Sequence, residues 1–164
     1  MSSAAKPRPS AALAVVDVER VWAAEGPGLR RLAFLLTGDA GIADDVVADA
    51  VCALLSQAGP IDRPGAWLRT VVVNRCRSVQ RRRYAHRSKS HLIAAPTTAE
   101  GPSADHVELV RALRTLPADQ REAVVLRFLF DLPVADVASI CGTNVPAMAS
   151  RIRRGLINLK GELA

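Results

Sequence analysis

The stretch "VASICGTNVPAMASRIRRGL", residues 137–156, decides how the chain is read. An apolar run ends at Gly142, a residue suited to the sharp turn between two helices that cross steeply. Asn144 can cap the helix that follows, and Pro146 falls in its first turn, where a missing N–H costs nothing. Val137, Ile140 and Cys141 face inward from the first helix. Met148, Ile152 and Leu156 form the buried seam of the second. Ser150, Arg151 and Arg154 are left on its outer face. This is the layout of a helix-turn-helix, whose second helix is available to the major groove of DNA. The competing reading is a surface pair of helices made soluble by arginine.

The rest of the chain reads as helical too. Of its 164 residues, 49% are apolar and only six are aromatic, so the core is built from Leu, Val, Ile and Ala. Apolar residues recur at spacings of three and four, and an all-α protein is expected. Residues 1–12, rich in Ala, Ser and Pro, read as a disordered tail. One helix is expected from Val15 to Glu25, stopped by "EGPG", and a second from Leu29 to the "TGD" at 37–39. Asp39 can cap a third helix, "IADDVVADAVCALL", that carries Asp44, Asp45 and Asp49 on one face. After the loop "SQAGPIDRPG" comes "AWLRTVVVNRCRSVQRRR", residues 66–83. Here Trp67, Val71 and Val72 pack inward, while Asn74, Arg77 and Arg81 trace a polar stripe.

Residues 86–105 show no periodicity and are rich in Ser, Thr, Pro and Ala, which reads as a flexible linker between two small helical domains. The first domain covers 13–85. The second, 106–164, is a four-helix unit ending in the helix-turn-helix, with a break at Pro117.

The formal net charge is +6, and arginine supplies nearly all of the positive side, since Lys6, Lys89 and Lys160 are the only lysines. Arginine favours planar, two-pronged contacts to phosphate and guanine. Each domain is nearly balanced: residues 17–83 hold ten basic and eight acidic residues, and residues 105–164 eight and seven. The charges are clustered, however, with acids at 39–49 and arginines at 75–83 and 151–154. Such segregation suits one acidic docking face and two faces for a nucleic acid.

Catalysis finds no support. There is no nucleophile–base pair, glycine-rich phosphate loop or metal-binding histidine pair, and no cofactor or metal is expected. Cys52, Cys76 and Cys141 lack paired spacing and read as small buried hydrophobes. The run "AALAVV" at 11–16 is too short for a signal peptide or a membrane span. A cytoplasmic protein with no membrane insertion is expected.

These elements, in this order, resemble the extracytoplasmic-function (ECF) sigma factors of bacterial RNA polymerase. "LRRLAFLLTGDAGIADDVVADAV" looks like that family's region 2.1–2.2, and "AWLRTVVVNRCRSVQRRR" like its region 2.3–2.4. "LRTLPADQREAVVLRFLFDLPVADVASICGTNVPAMASRIRRGLINL" is similar to region 4. The resemblance implies a transcription initiation factor whose partners are core RNA polymerase (its β and β′ subunits), promoter DNA and an anti-sigma factor. It implies polymerase contacts at Asp44, Asp45 and Asp49, and −10 element contacts at Trp67, Asn74, Arg77 and Arg81. It assigns the −35 element to Asn144, Ala147, Ser150, Arg151, Arg153 and Arg154. Ala48, Val51, Leu55, Ser78 and Ala149 depart from the residues usual in the family, and Pro133 stands where a Ser or Thr cap is typical. Two alternatives stay open at this point: a sigma-like DNA-binding regulator, or a decoy for an anti-sigma factor, neither recruiting polymerase.

Overall fold

The computed structural model describes residues 11–57, 59–87 and 104–164, with side chains from residue 18 in the first segment and from 107 in the last. The described residues form seven α-helices and no strand. Helices α1 (Ala11–Thr37), α2 (Ala40–Leu55) and α3 (Pro64–Arg87) make the first half, and α4 (Ala104–Thr115), α5 (Ala118–Val124), α6 (Val134–Ile140) and α7 (Val145–Leu163) the second. The expected tail at 1–10 and most of the expected linker, 88–103, lie outside the described residues. Residues 11 and 12, assigned to the tail, belong to α1. His86 and Arg87 close α3, and Ala104 and Asp105 open α4.

One expectation fails at "EGPG". Instead of two helices, α1 runs unbroken through Pro27. Proline removes one backbone donor and crowds the turn before it, an opposing cost of about 3 kcal/mol. The helix continues because burial on the far side of Pro27 outweighs that cost: Leu29, Leu32, Ala33, Leu35 and Leu36 are all core residues. Upstream, Trp22 lies across Gly26 one turn on, so closely that a Cβ there would sit 2.9 Å from the ring.

Local stop signals elsewhere act as expected. Gly38, at φ +70°, ends α1, and the Asp39 carboxylate accepts the Ile42 N–H at 3.0 Å to start α2. On α2, Ala43, Val46, Val47 and Ala50 are buried. On α3 the buried line is Leu68, Val72, Val73 and Cys76, with Trp67 and Val71 half-buried at its margin. Cys52 differs from expectation: it is exposed, while Cys76 and Cys141 are buried.

In the second half, α5 runs on as a wider π-type turn, Val125–Leu129. It closes with Phe130 N–H donating to the Val125 carbonyl and Leu132 N–H to that of Leu126. The first bond reaches back five residues and the second six, against the four of an α-helical turn. Asp131, at φ +49°, takes the left-handed position that this exit requires, one that Asp tolerates better than most residues.

Both halves contribute to one hydrophobic core, from Leu29 and Leu68 in the first to Leu113, Leu126 and Met148 in the second. The halves are also tied by hydrogen bonds. Arg121 of α5 donates to the carbonyls of Leu113, Arg114 and Leu116 within its own half and of Leu36 across the interface, the last at 2.9 Å.

Candidate nucleic-acid interface

The helix-turn-helix is α6, a turn at Gly142, and α7. Gly142 has φ +64°, a conformation that side chains resist. Asn144 Oδ1 accepts the Ala147 N–H at 2.9 Å and caps α7, with Pro146 in the first turn. Pro133 opens α6 without a side-chain cap. Val137, Ala138, Ile140 and Cys141 are buried on α6, Met148 and Ile152 on α7. The seam then departs from expectation. Leu156 is 39% exposed, and Gly155 carries the buried line instead. Here α7 presses on α5 so closely that a Cβ on Gly155 would lie 2.7 Å from Val124 Cγ2.

That packing sets what α7 shows to solvent. Asn144, Ser150, Arg153 and Arg154 are exposed, and Ala147 is half-buried. Arg154 folds back toward its own helix, its Nε donating to the Ser150 carbonyl at 3.4 Å. Arg151 does not share the outer face. It turns toward α5 and pairs with Asp119 at 3.3 Å.

On α3, the stripe read from spacing splits. Asn74 and Arg81 are exposed. Arg77, between them, is held by Glu122 of α5: its Nε donates to both carboxylate oxygens at 3.0 and 2.9 Å, and its Nη2 to one of them at 2.7 Å. Glu122 is 2% exposed. The hydrogen bonds that Arg77 donates to Glu122 hold its guanidinium even more firmly protonated than usual, against the opposing effect of burial. A second Arg77 contact, at 3.5 Å, goes to the Cys141 carbonyl at the end of α6. Burial, with the Glu122 charge adding to it, pushes the neighbouring Cys76 thiol up to about 12, so it stays protonated and unreactive.

Asp44, Asp45 and Asp49 all lie exposed on α2. Asp44 pairs with Arg30 at 2.7 Å and Asp49 with Arg75 at 3.2 Å; both pairs are open to solvent. Such exposed pairs contribute roughly 0–1 kcal/mol and exchange readily for a partner's charges.

Glu122 is the residue that sequence reasoning missed. It sits in "QREAVV" as a polar residue on an ordinary amphipathic helix, and its partner lies 45 residues away. No local spacing signals such a pair. Among the described residues, no group of acids, histidines and cysteines is placed to hold a metal, and no helix is long and apolar enough to cross a membrane.

Comparison with known proteins matches residues 21–86 to the family model for Sigma-70 region 2 and residues 106–159 to that for Sigma-70, region 4. The chain is 34% identical over 145 residues to the ECF RNA polymerase sigma factor EcfG of Rhodopseudomonas palustris (strain TIE-1), covering 84% of this chain and 80% of that one. It is 34% identical over 148 residues to the ECF RNA polymerase sigma factor SigM of Mycobacterium tuberculosis, covering 82% and 72%. Among solved structures, it is similar to the sigma factor RpoE crystallised with the anti-sigma factor NepR from Bartonella quintana. The TM-score there is 0.76 at 28% identity, over 90% of this chain and 96% of that one.

Proposed function

The chain belongs to the ECF sigma factors of bacterial RNA polymerase, which are non-enzymatic initiation factors, and on that premise we propose how its surfaces divide the work. The acidic face of α2, Asp44, Asp45 and Asp49, docks on core polymerase. The α3 face of Trp67, Asn74, Arg77 and Arg81 reads and holds open the −10 element. The outer face of α7 enters the major groove of the −35 element. The protein acts in the cytoplasm, where polymerase and promoters are.

The observation that carries this reading is the build of α7. A left-handed glycine, an asparagine cap and a seam of Met148, Ile152 and Gly155 leave Ser150, Arg153 and Arg154 on one open face. A helix of that width fits the major groove, and arginine can grip guanine with two parallel hydrogen bonds. Arg151 joins that face by leaving Asp119, a partly exposed pair that costs little to break. Full use of the α3 stripe demands more, since Arg77 has to leave Glu122. The closed arrangement of the two halves therefore represents the factor off DNA, and polymerase binding draws the halves apart. The Bartonella relative solved with NepR supports an anti-sigma factor as a further partner that holds this one inactive.

Mapping the tagged protein on the chromosome of its native cells tests the assignment. Occupied sites are expected to share a two-block motif. In the Arg151→Ala/Arg154→Ala variant, the upstream block should lose its influence on occupancy. Each lost guanine contact is worth about 1–3 kcal/mol, roughly a fivefold to 150-fold fall in affinity. An unchanged motif and occupancy would contradict it.

A further inference from the structure

Where the two halves meet, a cleft of about 800 Å³ is bounded by the ends of α1 and α3 on one side and by α4, α5 and α7 on the other. Seven arginines line it against two carboxylates, Asp119 and Glu122. Both carboxylates are already engaged, by Arg151 and Arg77. Arg83 pairs with Asp39 just past the end of α1. Four guanidiniums have no ion-pair partner among the described residues: no carboxylate lies within ion-pair distance of Arg81, Arg87, Arg114 or Arg121.

The four are held differently. Arg121 is fixed by four backbone carbonyls, so its charge cannot swing away to solvent. Arg114 lies over the bare backbone of Gly38, where a Cβ would meet its Nε at 2.9 Å. Arg81 and Arg87 reach the rim from α3, one on each side of Tyr84 in sequence. Burial first, and the Arg114 charge second, make the Arg121 guanidinium easier to deprotonate than usual, against the opposing charge of Glu122. An anion in the cleft relieves the repulsion between the two arginines.

We propose that this interdomain cleft is a binding site for a small oligophosphate, a compound with two or three linked phosphate groups, either free or as part of a nucleotide. The volume falls within the range of small-molecule sites. Guanidiniums are suited to phosphate oxygens, which they grip in pairs. Arg114 and the fixed charge of Arg121 form the floor, and Arg81 and Arg87 close over the outer phosphate. Because both halves contribute, the ligand binds only the closed arrangement and stabilises it. The site does not depend on the promoter assignments above, and it is tested without DNA or polymerase.

Calorimetric titration and thermal unfolding of the full chain with pyrophosphate, tripolyphosphate and ADP supply the test. Binding and a rise in Tm are expected. The Arg87→Ala/Arg114→Ala variant should bind at least tenfold more weakly. Arg31→Ala/Arg63→Ala removes the same charge from exposed positions outside the cleft and should change affinity less than twofold. All four side chains are exposed, so both variants are expected to fold. ADP binding at least fivefold tighter than pyrophosphate would identify a nucleotide as the ligand; equal affinity would identify the oligophosphate alone. No binding, or equal weakening in the two variants, would overturn the proposal.

Discussion

The Arg77–Glu122 pair has two ends with unequal surroundings, and its response to mutation should be unequal too. Glu122 is almost completely buried, whereas the Arg77 side chain keeps 26% of its surface in solvent. Removing the arginine strands a carboxylate in the core, a loss of about 3–5 kcal/mol. Removing the carboxylate leaves a guanidinium that can turn to water, a loss of about 1–3 kcal/mol. Urea unfolding should therefore rank Arg77→Ala as more damaging than Glu122→Ala, and the reverse order would place the buried charge on the wrong side. The thiols next to this pair give a second check. At pH 8, Cys52 should react at once with a thiol reagent, while Cys76 and Cys141, with pKa values raised to about 12 and about 11 by burial, should stay silent until the protein unfolds. The raised values also set a sign. The unfolded thiols ionise near pH 9 and the folded ones two to three pH units higher, so stability is lost as pH climbs through that window. What the sequence displayed at this scale was the stripe of Asn74, Arg77 and Arg81, because helical spacing is local. It did not display which member was already engaged, because the engaging residue comes from another helix.

Among the elements, α7 is the one whose packing can be tested by single atoms. Alanine is a better helix former than glycine by about 1 kcal/mol, so Gly155→Ala should stabilise on propensity alone. Its added methyl would meet Val124 and also the Gln120 carbonyl at 3.2 Å, and backbone cannot swing aside as a side chain does. Gly155→Ala is expected to destabilise by about 1–3 kcal/mol through overpacking. Gly161, on the same helix, has open space around the same position. Gly161→Ala should be neutral or stabilising by up to about 1 kcal/mol, and thermal unfolding of the two variants compares the signs directly. The turn at Gly142 and the cap at Asn144 were legible because each satisfies backbone demands within three residues. The continuation of α1 through Pro27 was not. Proline's rule is local, and it was overridden by the burial of Leu29, Leu32 and Leu36 against partners that only the folded chain brings near. The shift of the α7 seam from Leu156 to Gly155 has the same origin, since only the approach of α5 makes a side chain impossible there.

In the whole molecule, the order of segments in the sequence matches the family before any folding is considered: an acidic helix, an arginine-rich helix, then a helix-turn-helix. Each half carries its own local periodicity, so the helical nature of both could be read. Their union in one core could not, because Arg121 and Glu122 reach back to α1 and α3 across a segment with no pattern to guide the eye. The consequence is functional. In this closed form the arginine stripe proposed to read the −10 element is partly occupied, so promoter engagement by the free chain should be weak, and core polymerase is expected to open it. That places the central claim on the polymerase interaction itself. The direct measurement is size-exclusion chromatography of the purified full chain with purified core RNA polymerase, comparing wild type with Asp45→Arg/Asp49→Arg. Stoichiometric co-elution of the wild-type chain with β and β′, lost in the charge-reversed variant, is the expected result. A wild-type chain that elutes alone, or a variant that binds as well as wild type, would contradict the account.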